Sequence, residues 1–164
     1  MVFKKWIRCI IKNGGIMDIK ILNEIVGDRI NLKFVNLVPA VPEKQFVDCC
    51  NYDIYLKDGT KIGEISAKLG TNEFTFYIGN VGYSIDEKYR GYGYAVEAVK
   101  LTKKLFKENG FKRIVITQVP ENKASKRVCE KLGARFLGVY VVPLNHLRRV
   151  KYGEEFMNIW ELDI

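Results

Sequence analysis

The chain has 164 residues, 48% hydrophobic and 28% charged, with 27 Lys and Arg against 19 Asp and Glu for a net charge of +8. That length suits one domain with a single sizeable core, which needs neither a disulfide scaffold nor a structural metal, and the composition excludes a disordered or fibrous chain. No apolar run reaches the length of a membrane span, and Cys9, Cys49, Cys50 and Cys129 form no C-x-x-C pair and have only His146 beside them, which argues against zinc and for reduced thiols in a cytoplasmic protein.

At the N-terminus, Arg8 and Lys12 interrupt a short apolar stretch and no small-residue cleavage site follows, so no export signal is expected. Residues 1–16 read as an extension ahead of a domain spanning 17–164, with Met17 as an alternative start. Residues 29–37 alternate weakly, as a first strand does. Residues 38–50 contain Pro39 and Pro42 and read as irregular, with room for a short helix at most. Residues 52–56 alternate clearly, and Asp58-Gly59 signals a tight turn into a partner strand over 61–69. Gly70-Thr71-Asn72 makes the next turn. Strands are then expected over 73–78 and 81–85, with Gly79-Asn80 as a bulge between them.

The period changes after the glycines at 91 and 93. Ala95, Ala98, Val99, Leu105 and Phe106 fall on one face of a helix with lysines opposite, and Gly110 suits the left-handed position that closes it. Residues 113–119 are a nearly unbroken apolar run, the mark of a buried strand parallel to 81–85. A second helix follows over about 122–132, with Ala124, Val128 and Leu132 at four-residue spacing, and Gly133 ends it. Two closing strands, 135–142 and 154–162, are joined by a basic loop over 143–153. The order predicts an α+β (mixed α/β) fold in one domain, with a central, mostly antiparallel mixed sheet and helices on both faces.

Much of the positive charge sits on Lys100, Lys103, Lys104, Lys107, Lys123, Lys126, Arg127 and Lys131, which read as wet helix faces. Nucleic acid is therefore not the expected partner, although the same field favours an anionic ligand. The turn Arg90-Gly91-Tyr92-Gly93-Tyr94-Ala95 lies where a strand ends and a helix begins. Its glycines let a ligand approach the main chain, and the free N–H groups of the helix start converge on one place, which suits a diphosphate. The dinucleotide fingerprint fails because Val96 stands where its third glycine belongs, and the Gly-Lys-Ser/Thr ending of a P-loop is missing. On the turn alone, phosphate binding and a plain structural turn remain equal readings.

These residues resemble the GNAT superfamily of acyl-CoA-dependent N-acetyltransferases, whose signature Gln/Arg-x-x-Gly-x-Gly/Ala is met by Arg90 to Ala95. Val81-Gly82-Tyr83-Ser84-Ile85-Asp86 is similar to the family's central strand. Asn122-Lys123-Ala124-Ser125 and Glu130-Lys131-Leu132-Gly133-Ala134 are similar to its second cofactor helix and following glycine. The likeness covers roughly 52–164 and is nearest to the ribosomal-protein acetyltransferases. It implies a sheet splayed between 81–85 and 113–119, with acetyl-CoA as acyl donor and no metal. Backbone groups of Tyr83, Ser84 and Ile85 would pair with the pantetheine arm. Amides of Arg90, Gly91, Tyr92, Gly93, Tyr94 and Ala95 would hold the pyrophosphate, with Asn122 and Ser125 near the sulfur end.

The implied reaction is direct attack of an amine, on a small molecule or a peptide N-terminus, in a ternary complex. Cys129 stands where many relatives carry a tyrosine proton donor, so Ser125, one turn earlier on the same face, is the candidate donor; a helix-start residue bonding the backbone is its equal alternative. Asn122 has the parallel role of helix N-cap. No base is identified: Glu64 and His146 are weighed against a wet strand face and a surface loop, and Cys129 reads as core rather than nucleophile. Too little chain lies between the first strand and Tyr52 for the two helices that commonly cover the acceptor site. The acceptor cleft is therefore expected either to be open or to be lined by 38–50 and 143–153, and an open basic rim would suit a peptide N-terminus or an acidic small molecule. A homodimer is compatible with this reading, and no membrane association is expected. The alternatives are an acyl-CoA-binding module without chemistry and a basic RNA- or ribosome-associated protein.

Overall fold

The computed structural model describes residues 4–10 and 16–164, of which 4–10 and 16–18 are described by backbone alone. Two strands not anticipated from the sequence, β1 (Lys4–Ile10) and β2 (Ile16–Leu22), form an antiparallel hairpin. Ile19, Ile21 and Leu22 of β2 are buried in the main core. Residues 1–3 and 11–15 of the expected extension lie outside the described residues. Next come β3 (Glu24–Val26), β4 (Ile30–Val38), β5 (Cys49–Leu56), β6 (Lys61–Lys68) and β7 (Val81–Ile85), a five-stranded sheet in chain order whose pairings are all antiparallel. Between β4 and β5 the chain makes only a single 3₁₀ turn, Pro42–Lys44. Alternation sets the two faces: Cys50, Tyr52 and Ile54 of β5 point into the core, while Asn51 and Asp53 face the other way.

Residues 73–78 are not a strand. They form α1 (Glu73–Ile78), because Asn72 and Thr75 cap one another: Asn72 Oδ1 accepts from the Thr75 N–H at 2.9 Å and Thr75 Oγ1 accepts from the Asn72 N–H at 2.8 Å. Gly79, at φ +80°, ends the helix as its C-cap, its N–H bonding the Thr75 carbonyl, rather than forming a bulge. Phe76 and Tyr77 then pack against Val142, Met157 and Ile159 in a second, smaller core. The expected loop 143–153 likewise contains a helix, α4 (Leu147–Tyr152).

The helix predicted after the glycine turn is α2 (Tyr94–Glu108), and the second is α3 (Lys123–Lys131). Ala98, Val99, Leu105 and Phe106 of α2 are fully buried in the same cluster as Leu32, Ile54 and Ile65 of the sheet. Each such large aliphatic or aromatic side chain contributes about 1.5–3 kcal/mol by leaving water. The remaining strands, β8 (Arg113–Gln118), β9 (Arg135–Val141) and β10 (Phe156–Asp163), make a three-stranded antiparallel sheet in the order β8-β10-β9. Helices lie on both faces of this smaller sheet. The larger one has α2 on one face and leaves its polar face open.

Strands β7 and β8, expected as a parallel pair, share no ladder, and each pairs only within its own sheet. The two sheets are joined at Asn80, which is 2% exposed. Its N–H donates to the Val115 carbonyl at 2.7 Å, and its Oδ1 accepts from the Val115 N–H at 2.8 Å. Its Nδ2 donates to the Lys68 and Gly70 carbonyls, both at 2.9 Å, and its own carbonyl accepts from the Lys68 N–H at 2.7 Å. Beyond this point the strands part.

A second tie fixes α2. The Glu97 carboxylate accepts from the Arg29 N–H at 2.9 Å, Arg29 Nε at 2.8 Å and the Ile30 N–H at 3.3 Å. Burial alone would raise the Glu97 carboxyl, but the Arg29 and Ile30 donors outweigh it and hold the pKa below the usual value.

Replacing Asn80 with Asp keeps the acceptor toward Val115 and removes both donations to Lys68 and Gly70. We expect a loss of about 3 kcal/mol, a fall in Tm of roughly 10 °C by thermal unfolding; an unchanged Tm would show that the junction is held elsewhere. Glu97→Gln should cost about 1–2 kcal/mol at neutral pH. Because the folded-state pKa is depressed, this contribution is present above the ordinary value of 4.5 and lost as pH falls through the lower folded value. The unfolding curves of wild type and variant should therefore converge in acid, and a gap that persists there would exclude the carboxylate as its source.

Candidate active site

The parting of β7 from β8 leaves β7 as a free sheet edge. Lys68 donates to the Asn80 carbonyl and the Asp86 N–H to the Ile62 carbonyl, so even-numbered residues of this stretch turn their backbone groups toward β6. Val81, Tyr83 and Ile85 therefore present theirs to the gap. Ser84, expected to offer its backbone there, is turned toward Glu64 of β6 instead and contributes its exposed side chain.

The gap widens into a cavity of about 540 Å³ between β7, the start of α2 and one face of α3. Of the sequence-predicted residues, Tyr83, Ser84, Ile85, Arg90, Gly91, Gly93, Tyr94, Ala95, Asn122 and Ser125 line it. Tyr92 does not: its side chain is 64% exposed and its carbonyl accepts from Arg29 Nη1 at 2.9 Å. Gly91 and Gly93 have φ of +86° and +82°, conformations that only glycine adopts without strain. A Cβ at Gly91 would meet no protein atom within 4 Å, so the space over it is open to a ligand. Gly93 is the N-cap of α2 and has no side chain to bond the first amides of the helix, which leaves them directed at the cavity.

The charge around this cavity has one sign. Arg90, Arg127 and Lys131 line it, and no carboxylate does among the described residues. Arg127 and Lys131, read from the sequence as wet helix face, are exposed as expected and also border the cavity; their four-residue spacing on α3 together with Ala124 and Val128 was the available signal. Glu97 lies in the first turn of α2 but is held away by Arg29. Arg90 also donates through Nε to the Ile85 carbonyl at 2.8 Å, which fixes the loop to the strand end. Free amides, a helix start and three cations fit a polyphosphate in chemistry and in sign.

At the inner end of the cavity, the Tyr83 hydroxyl and Ser125 Oγ are 3.0 Å apart. Burial pushes the Tyr83 phenol up to about 12, partly offset by its bond with Ser125. Ser125 and Asn122 also have their structural roles, since the Ser125 N–H donates to Asn122 Oδ1 at 3.0 Å and Asn122 caps α3. Cys129 is fully buried, its thiol raised to about 12 chiefly by burial, with Sγ 3.9 Å from Gln118 Oε1. The contact of Tyr83 with Ser125 left no trace in the sequence, because it joins residues 42 positions apart.

A second cavity of about 470 Å³ lies on the open polar face of the larger sheet and shares Tyr83 and Ser84 with the first. It is lined by Asn36, Asn51, Asp53, Glu64 and Ser66 among others; of the two expected forms it is the open one, without lining from residues 38–50 or 143–153. Nor is its rim basic: two carboxylates, Asp53 and Glu64, lie in its wall, bridged by Lys61 Nζ at 2.8 and 2.9 Å. Glu64 is thus at the cleft. His146 is not. It is 8% exposed, stacked on Phe74 at 5.4 Å, with Nδ1 accepting from the Arg148 N–H at 3.2 Å, and burial lowers its pKa.

Residues 38–135, more than half of the chain, match the family model of the acetyltransferase (GNAT) domain. Comparison with curated proteins gives no match. Among solved structures, the chain is similar to a GNAT-family acetyltransferase from Bacillus anthracis, at 29% identity over 69% of this chain and 65% of that one, TM-score 0.53. It is similar to the ribosomal-protein-S5-alanine acetyltransferase of Vibrio fischeri at 26% identity, covering 70% and 61%, TM-score 0.53. The microcin C7 self-immunity acetyltransferase MccE, solved with acetyl-CoA and AMP, shares the fold at 22% identity, covering 71% and 61%, TM-score 0.54. The matched region spans less than two thirds of each of these three proteins. With a splayed sheet, a glycine turn at a helix start and a matching family model, the chain belongs to the GNAT acetyltransferase family.

Proposed function

We propose that this protein transfers the acetyl group of acetyl-CoA to an amine in a ternary complex, by direct attack. The observation that carries the reading is the pair of cavities meeting at Tyr83 and Ser84, one lined by cations and free amides, the other by carboxylates and amides. The first suits an anionic donor and the second an acceptor that arrives as a cation.

The amides of Gly91 to Ala95, with Arg90, Arg127 and Lys131, would hold the pyrophosphate. The outward backbone groups of Tyr83 and the N–H of Ile85 would receive the pantetheine arm as a strand edge receives another strand. When bound, acetyl-CoA supplies an activated acyl group. A fixed N–H on β7 aimed at the thioester oxygen would stabilise the developing oxyanion, an effect of about 10²–10³ in rate where such donors are removed. Ser125 would be the donor to the departing sulfur. Glu64 stands opposite Ser84 in the ladder, though its side chain is 65% exposed and paired with Lys61, and a water relay would serve equally as the route for the amine proton. A peptide N-terminus is the acceptor we favour, because the polar face is open and the Vibrio fischeri relative is a ribosomal-protein acetyltransferase.

Calorimetry with acetyl-CoA should give binding to the wild type. Ala124→Trp, which fills the cavity from an exposed helix position, should weaken it at least tenfold without changing Tm. Equal affinity in both would remove the basis of the site assignment. Release of free thiol with a panel of peptide N-termini and small amines then separates an enzyme from a binding module: acetyl-CoA affinity without consumption by any amine would favour the latter.

A further inference from the structure

The α3 position that would carry a hydroxylic side chain one turn beyond Ser125 is Cys129, and its buried thiol is directed at Gln118 rather than at the cavity. The hydroxyl that does reach Ser125 comes from the opposite wall, from Tyr83 on β7, at 3.0 Å. The Ser125 N–H is already bonded to Asn122, and the residue opens the first turn of α3, so its Oγ is free to turn between Tyr83 and the cavity. Resting on the acetyl-CoA reading above, we propose that Tyr83 is a positioning residue for the leaving sulfur: its hydroxyl donates to Ser125 Oγ and thereby directs the Ser125 proton at the sulfur end of the cofactor.

The direction of the chain follows from charge. As the carbon–sulfur bond breaks, its electron pair stays on sulfur, and a thiolate is an acceptor only. Ser125 must then donate to it, which frees the Ser125 lone pairs to accept from Tyr83, and each bond polarises the next. Tyr83 does not itself surrender the proton. Its phenol, pushed up by burial, lies well above an ordinary thiol, so transfer of its proton to the sulfur is strongly disfavoured. The same height keeps it a donor at every physiological pH. The sulfur leaves as a thiolate held by Ser125 and takes its proton from water on release, so the hydroxyl pair ends the cycle unchanged.

The test needs no acceptor. The thiol of CoA is titrated by ultraviolet absorbance on wild type, Tyr83→Phe, Ser125→Ala and the double variant, and desulfo-CoA affinity is measured by calorimetry on each. The expected result is a bound thiol at least one pKa unit below that of free CoA in the wild type, tenfold tighter binding of the thiolate. Each single variant should lose that shift and the double no more than either, with desulfo-CoA affinity unchanged within twofold. A thiol that titrates alike in wild type and Tyr83→Phe overturns the proposal, as do losses that add in the double variant. An equal loss of desulfo-CoA affinity in Tyr83→Phe overturns it too, because it marks a merely structural contact. Absence of CoA binding by the wild type would remove the cofactor reading itself, and this inference with it.

Discussion

The separation of the two sheets, and with it the cavity between them, is pinned by one asparagine. Asn80 ends the turn after α1 and places every polar group it has: two bonds to Val115 on the smaller sheet, two to the carbonyls of Lys68 and Gly70, and its own carbonyl to the Lys68 N–H. A buried amide so fully paired is costly to disturb, because removing it strands several partners at once. It ties two sheets at a point, whereas a ladder would have tied them along a line. Past that point β7 keeps β6 on one side and pairs with no strand on the other, so apart from the Ile85 carbonyl, which Arg90 Nε bonds, backbone donors and acceptors that a continuous sheet would have satisfied internally remain available to a ligand.

The cavity that opens there is positive by construction. The first turn of α2 has a glycine cap and therefore bare amides, and its only carboxylate, Glu97, is drawn back to Arg29 and Ile30. Arg29 also bonds the Tyr92 carbonyl and sits 5.0 Å over the Tyr94 ring, so one side chain both removes a negative charge from the mouth and braces the glycine turn. Arg127 and Lys131 on α3 complete the field from the other wall. The general excess of lysine raises the long-range attraction for an anion, but these few groups give it a place.

On the other side of β7 the chemistry reverses. The turn from β4 to β5 is too short to build covering helices, and the face it leaves open bears amides and the pair Asp53 and Glu64 with Lys61 between them. The two cavities thus meet at the same two residues, Tyr83 and Ser84, from faces of opposite character, and the proposed anionic donor and cationic acceptor would approach from these two sides. That arrangement suits direct attack, because it brings the partners together without a covalent intermediate on the protein, and Cys129 is too deeply buried to serve as one.

The sequence by itself determined the parts whose physics is local. Glycines at 91 and 93 announce the turn because only glycine tolerates its φ, the 3.6-residue period of 95–106 announces α2, and the alternation of 52–56 announces β5. Local signals fail where a segment is too short for its period to be read: the six residues of α1 are as aromatic as a strand, and the Asn72–Thr75 cap with the Phe76 and Tyr77 packing decided for a helix. The burial of His146 against Phe74, the place of Arg127 and Lys131 on the cavity border, and the acidic face in place of a basic rim all depend on what stands opposite. So does the bond between Tyr83 and Ser125. Side-chain direction across a gap is set by the packing of elements distant in sequence, and only the tertiary structure, pinned at Asn80, decided it.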